Sequence, residues 1–239
     1  MLLFYIRHGD PIYNPDSLTP QGERQAEALA KRLALYGIDR IYVSPSNRAR
    51  LTSVPTCEIL GKQAEMKPWL DEALAAKYFM VDDGKGKGGR TWCFFRSTTK
   101  ALLTSAEVRA LGKEWHTHPA FAEERFSEGV AHIGAELDAF MLEQGYRHDP
   151  ENNRYIAERP NNDRIALFAH QGIGMAIMSL LLDIPYPIFS TTFDFGHSSM
   201  TVVEFSGSEI VYPKVLQLSS DAHIYREGLP TKYHNRVYF

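Results

Sequence analysis

Short apolar runs alternate with amphipathic stretches along this chain. Leu2–Ile6 is apolar throughout and turns charged at Arg7, the pattern of a strand buried on both faces. Thr19 then stands as an N-cap with Pro20 at the first helical position, where a missing N–H costs nothing. Ala26, Leu29, Ala30, Leu33 and Tyr36 recur at helical spacing, and Gly37 suits the end of that helix. Ile41–Val43 reads as a second strand and Arg48–Leu60 as a helix interrupted near Pro55 and stopped by Gly61. A further strand is marked around Glu65–Lys67. Ser127 is expected to cap a helix that carries Val130, Ile133, Leu137, Phe140 and Met141 on one side and ends at Gly145. Arg164–Ala169 is another buried strand, and Gly172–Leu182 is the apolar helix after it. Met200–Phe205 and Ile210–Val215 read as a closing hairpin around Ser206-Gly207-Ser208. Strands alternating with helices predict an α/β fold: a mostly parallel central sheet flanked by helices on both faces.

The segment from about 73 to 126 breaks this rhythm. It holds Gly84-Lys85-Gly86-Lys87-Gly88-Gly89-Arg90, an aromatic cluster of Trp92, Phe94 and Phe95, and a helix expected from Ser105 to Trp115. It reads as a cap-like insertion beside the sheet, within a single domain spanning residues 1–239.

Composition narrows the function classes. The chain has 239 residues, 44% hydrophobic and 23% charged, which is a globular composition. A chain of this length buries roughly 70–75% of its unfolded surface and needs no covalent staples. Its two cysteines, Cys57 and Cys93, are too few for a disulfide scaffold or an all-cysteine zinc site. A net charge of −3 argues against a broadly basic nucleic-acid surface, though not against a local positive pocket. The N-terminal apolar run is short for a secretory leader, and Ile173–Leu182 is far short of a membrane span. These features predict a cytoplasmic protein with reduced cysteines and neither nucleic acid nor membrane as partner. The oligomeric state is left open.

Chemistry-bearing residues gather where predicted strands end, which is where open α/β sheets place their ligands. Arg7-His8-Gly9 follows the first strand. The second ends in Ser44-Pro45-Ser46-Asn47-Arg48, with Arg48 at the start of a helix whose amides and dipole favour anions. Leu70-Asp71-Glu72 lies beyond the third, and His170-Gln171-Gly172 follows Ala169. Singly, each reads equally as surface charge or as a hydrogen-bonded core histidine.

Taken in order, these pieces resemble the histidine phosphatase superfamily, also called phosphoglycerate mutase-like. The resemblance is carried by Arg7-His8-Gly9, by Leu18-Thr19-Pro20-Gln21-Gly22-Glu23-Arg24-Gln25-Ala26, by Ser44 with Arg48, Ala49 and Thr52, by Leu70-Asp71-Glu72, and by His170 with Gly172. Asn14 stands where the mutase-type run places a phosphate-contacting Asn. The resemblance implies His8 as the nucleophile, Arg7, Asn14 and Arg48 as phosphate ligands, His170 as a further positive group, and Glu72 as proton donor and then base. It implies no metal and no cofactor, and a small phosphorylated substrate as partner. The expected activity is hydrolysis of a phosphomonoester through a phosphohistidine. A phosphoglycerate mutase-type phosphotransferase and a phosphate-binding module without turnover are the other two readings.

Two departures bear on these roles. Gln171 separates His170 from Gly172, and Ala73-Leu74-Ala75-Ala76-Lys77-Tyr78 replaces the Gly-x-Trp-x-Gly run common after Leu-x-Glu in hydrolytic members. Asp71, Asp82, Asp83 and Glu128 are therefore rival acids to Glu72. Outside these motifs, His116-Thr117-His118 has the spacing of some metal ligands but reads better as a loop or helix-end pair. Lys85, Lys87 and Arg90 suit either a lid over a phosphate or a solvated loop. Trp92, Phe94 and Phe95 suit either a pocket wall or packing of the insertion.

Overall fold

The computed structural model describes residues 1–231; the last part of the domain expected over 1–239, residues 232–239, lies outside the described residues. Strand β1 (Leu2–Arg7) alternates between two buried faces, with Leu3 and Tyr5 in one core and Phe4 and Ile6 in the other. A small hairpin, β2 (Pro11–Tyr13) and β3 (Asp16–Leu18), comes next. Helix α1 (Pro20–Tyr36) begins where the Thr19 hydroxyl accepts from the Gly22 amide at 3.0 Å. It ends at Gly37, whose φ of 71° is the left-handed cap that glycine allows. Then come β4 (Arg40–Val43), α2 (Asn47–Leu60) and β5 (Ala64–Met66).

The next stretch holds α3 (Glu72–Phe79), the hairpin β6 (Met80–Asp82) and β7 (Arg90–Trp92), and the short helices α4 (Ser97–Leu103) and α5 (Ala106–Ala110). Helix α6 (Phe126–Glu143) leads into β8 (Tyr146–Asp149), β9 (Arg154–Ala157) and β10 (Arg164–Ala169). Helices α7 (Gln171–Leu181) and α8 (Tyr186–Thr192), strands β11 (Met200–Glu204), β12 (Ile210–Val211) and β13 (Lys214–Ser220), and helix α9 (Ala222–Arg226) complete the described chain.

The central sheet runs β13-β11-β1-β10-β4-β5. Neighbours among β1, β10, β4 and β5 are parallel, whereas β11 is antiparallel to both β1 and β13, so the sheet is mixed. Helices cover both faces, as expected. Leu29 and Leu33 of α1 and Ala49 of α2 pack on Phe4, Ile6 and Phe168. On the other face, residues from α3, α6, α7 and α8 join Leu3, Tyr5, Ile165 and Leu167 in a larger core. Burial on both faces is why β1 and β10 are apolar without alternation.

Several expected details are corrected. Helix α2 runs unbroken through Pro55, because burial of Ala49, Thr52, Ser53 and Thr56 outweighs one lost backbone bond. The helix expected over Ser105–Trp115 is only the short α5, capped by the Ser105 hydroxyl; Gly112, at φ 57°, turns the chain into a 3-10 turn over Gly112–Thr117. Ser127 lies inside α6 rather than capping it, and its hydroxyl meets His116 Nδ1 at 2.9 Å. The hairpin partner of β11 is β13. Ile210–Val211 instead pairs with β9 in a separate three-stranded sheet of β12, β9 and β8. Strand β13 escapes a reading by pattern because it is an edge with Val215, Leu216 and Leu218 exposed.

Register brings three strand ends level. Arg7 lies beside Ala169, and Phe168 beside Val43. The ladder continues one step past the strands: the His8 amide donates to the Ala169 carbonyl at 3.0 Å, and the Ser44 amide to the Phe168 carbonyl at 2.9 Å. His8, Ser44 and His170 therefore emerge together at one edge of the sheet.

Candidate active site

Gly9 makes the turn after β1 possible by close packing. A Cβ at Gly9 would lie 2.7 Å from the Gly22 carbonyl oxygen, and one at Gly22 would lie 2.2 Å from that of Asp10. Two glycines thus let the loop press against the start of α1. The Gly9 amide donates to the Thr52 hydroxyl at 3.0 Å, and that hydroxyl donates to the Arg48 carbonyl at 2.7 Å. This chain ties the His8 loop to α2.

His8 is buried, and its Nδ1 is 2.7 Å from the Gly9 carbonyl, which can only accept. The proton therefore sits on Nδ1 and leaves Nε2 with a free electron pair. Burial, then the neighbouring His170 and Arg7, hold His8 well below the usual histidine range, so the ring is neutral. The His170 ring lies 5.1 Å away, centre to centre. Its Nε2 faces the hydroxyls of Ser44 at 2.7 Å and Ser46 at 3.3 Å, while Nδ1 is buried among the described residues with no hydrogen-bond partner. Burial, Arg48 and Arg7 push His170 down as well.

The buried Arg7 donates from Nη1 to the Phe195 carbonyl, and its Nη2 is 2.8 Å from His197 Nε2. Arg48 pairs with Asp16 at 2.8 Å and lies under the Tyr13 ring, 5.5 Å from its centre. Asp16 also accepts from the Asn47 amide at 2.7 Å, so an acid from β3 caps α2 where Ser46 makes no side-chain cap.

Glu72 starts α3 beside the start of α7. Its two oxygens accept from the amides of Gly172 at 2.9 Å and Ile173 at 2.8 Å. Burial pushes its carboxyl up, and the Ile173 and Gly172 bonds and the arginines offset this only in part. Gly172 has to be glycine here, since a Cβ would lie 2.1 Å from the Trp92 ring. Of the rival acids, Asp71 lines the same cavity as Glu72 and accepts from the Ala73 amide at 3.1 Å, whereas Asp82 and Asp83 accept from loop amides outside it and Glu128 pairs with Arg125 on the surface.

Arg7, His8, Arg48 and Glu72 line one cavity of about 410 Å³ together with Tyr13, Ser46, Met80 and Trp92. His170 borders it through its contact with Ser46. Asn14 is exposed at the turn of the β2–β3 hairpin and is not part of the lining; its neighbour Tyr13 is. His116 and His118 have separate duties, since His118 Nδ1 accepts from the Ala120 amide at 3.2 Å. Among the described residues, no group of three His, Cys, Asp or Glu side chains is placed to hold a metal ion, and no helix is long and apolar enough to cross a membrane.

Sequence reasoning missed Tyr13, Asp16 and His197. Tyr13 and Asp16 stand on three-residue strands too short for a periodic signal, and His197 reaches Arg7 across 190 residues of chain.

The pattern of residues around the cavity meets a sequence match over the same region. Residues 3–79 match the family model of the histidine phosphatase superfamily (branch 1). The matched span includes Arg7, His8, Arg48 and Glu72. Solved structures share the fold over nearly the whole chain. A phosphoserine phosphatase of Entamoeba histolytica, in complex with 3-phosphoglyceric acid, is 17% identical, covers 93% of this chain and 98% of its own, and superposes with a TM-score of 0.59. A mycobacterial glucosyl-3-phosphoglycerate phosphatase is 19% identical over 92% and 98%, with a TM-score of 0.57. The alpha-ribazole phosphatase of Shigella flexneri is 19% identical over 92% and 97%, with a TM-score of 0.54. No curated protein matches the sequence.

Proposed function

We propose that the chain is a phosphomonoesterase that works through a phosphohistidine on His8. The observation that carries this reading is the gathering of a neutral, buried His8, two arginines and a carboxyl of raised pKa around one cavity. The structural neighbours, which include phosphoserine, glucosyl-3-phosphoglycerate and alpha-ribazole phosphatases, support it.

The geometry supports the following steps. His8 Nε2 attacks phosphorus and forms the N–P bond as the P–O ester bond breaks. Arg7 and Arg48 hold the equatorial oxygens with charge-assisted bonds. Glu72, whose carboxyl burial pushes up, gives a proton to the leaving alcohol oxygen. The dianion of the substrate favours a proton on His170, reversing the effect of burial and adding positive charge where negative charge builds. In the second step water attacks phosphorus, Glu72 takes its proton, and the N–P bond breaks to release inorganic phosphate and restore His8. Positioning and electrostatics supply the catalysis, as phosphoryl transfer requires.

The test is steady-state hydrolysis of 4-nitrophenyl phosphate in excess chelator. Wild-type protein should release phosphate and take up acid-labile label from a radiolabelled phosphodonor. His8→Ala should do neither. Full activity in His8→Ala overturns the mechanism, and binding without label or turnover in the wild type favours the binding-module reading.

A further inference from the structure

Every cation lining the cavity already serves the phosphoryl group. Arg7 and Arg48 are the only Lys or Arg residues among its described lining residues. Arg7 is further held by the Phe195 carbonyl and His197, and Arg48 by Asp16. What remains for the alcohol half of a substrate is Tyr13, Ala73, Ala76, Met80 and Trp92, the uncharged polar Ser46 and Gln171, and one carboxylate, Asp71. Glu72 and Ala76, four residues apart, share one face of α3, and Met80, the first residue of β6, adds to the lining just past the helix end. Trp92, packed on the Gly172 backbone, forms another wall.

The cations of the neighbouring segments are used elsewhere. Lys77 Nζ lies over the Tyr78 ring at 5.0 Å, Arg90 donates to the Met80 carbonyl, and Lys85 and Lys87 are exposed on the hairpin loop outside the lining. A carboxylate or second phosphate on the alcohol half would meet methyl groups, an indole and the Asp71 carboxylate, with no cation beyond Arg7 and Arg48 among the described lining residues. Burying an unpaired charge is unfavourable, whereas a flat or apolar group gains from the same surface.

We infer that this site selects phosphomonoesters whose alcohol half is uncharged and aromatic or apolar, and discriminates against those whose alcohol half carries a second anion. The inference rests on the phosphatase reading above. It names the substrate class of that site, and it excludes a bisphosphate of the kind a mutase must hold.

Two esters of nearly equal size and leaving-group acidity test it: 4-carbamoylphenyl phosphate and 4-carboxyphenyl phosphate, hydrolysed by wild-type protein in chelator. The kcat/KM for the neutral ester should exceed that for the carboxylate by about ten- to hundredfold, the range expected for an unsatisfied charged group. Ala76→Lys, or Met80→Lys should the first not fold, should raise the carboxylate ester toward parity. Equal rates for the two esters in wild type, or a preference for the carboxylate, overturn the inference while leaving the phosphatase reading intact. Turnover of neither ester, with no label on His8, removes both.

Discussion

Arg7 Nη2 stands 2.8 Å from His197 Nε2. A guanidinium only donates, so the imidazole nitrogen accepts, and the ring proton is left on Nδ1, which faces Asp10 Oδ1 at 3.4 Å. One edge of the Arg7 fork is thus fixed by a neutral histidine and the Phe195 carbonyl, and the rest of the group is left to meet an anion. Removing the acceptor frees the fork. His197→Phe should lower kcat/KM for an aryl phosphate by roughly tenfold, mostly through KM, as expected for a lost bond to a charged donor. His197→Gln, which retains an acceptor, should recover part of the loss. A split that falls on kcat alone, or no rescue by Gln, would show that Arg7 is positioned by other contacts.

Glu72 carries a prediction about leaving groups. A proton donor matters most when the departing oxygen is strongly basic. Glu72→Gln should slow hydrolysis of an alkyl phosphate by about 10²–10⁴-fold and that of 4-nitrophenyl phosphate far less. A steeper dependence of rate on leaving-group acidity in the variant is the measurement.

The pH profile follows from the same groups. His8, held well below the usual histidine range, stays neutral and nucleophilic well below pH 6.5. Glu72, raised above 4.5, stays protonated further up the scale than a free carboxyl. The rate should therefore fall on the acid side as His8 gains a proton and on the alkaline side as Glu72 loses one. The alkaline limb, corrected for ionisation of the substrate phosphate, should vanish in Glu72→Gln; if it survives, another group supplies the proton.

Close contacts, two with backbone and one with a side chain, should make three glycines sensitive to an added methyl group. Gly9→Ala and Gly22→Ala each set a Cβ against backbone oxygen, which cannot swing aside. Each should cost about 1–3 kcal/mol of stability, the usual range for overpacking. Gly172→Ala meets the Trp92 side chain instead. It should lose activity more than stability, because Trp92 can move but its wall and the Glu72 seat move with it. Urea unfolding beside kcat/KM separates the two kinds of effect.

The sequence made the sheet and much of the site legible for physical reasons. Strands β1 and β10 are apolar throughout because both faces are covered, and α1 carries its own start and stop in Thr19, Pro20 and Gly37. Arg7, His8, Arg48, Glu72 and His170 were nameable because each lies at or near a strand end. Parts that depend on distant partners were not legible. Asp16 caps a helix 31 residues away, and β13 joins the sheet as an exposed edge with no buried stripe. Asn14, placed by motif, lies on an exposed turn outside the cavity lining, and Tyr13 beside it is part of that lining.

Away from the cavity, His148 should make stability depend on pH. Its Nδ1 meets Asp138 at 2.9 Å, its Nε2 meets Asp183 at 3.1 Å, and its ring stacks on Tyr155 at 4.7 Å. Burial alone would lower its pKa, but the bonds to Asp138 and Asp183 overcome that and raise it to about 9. The folded protein therefore holds this proton more tightly than the unfolded chain does, where a histidine titrates near 6.5. The resulting stabilisation is fully present below pH 6.5 and is lost as pH rises through about 9. Lys113, 2.8 Å from Asp183, remains to pair that carboxylate after the histidine loses its charge, so the loss is partial. His148→Gln keeps a polar group of similar reach but cannot carry the charge. The gap in melting temperature between wild type and this variant should be a few degrees at pH 6, given about 2–4 °C per kcal/mol for chains of this length. It should close by pH 10. A gap that stays constant from pH 6 to pH 10 would mean that His148 contributes through packing on Tyr155 and not through its charge.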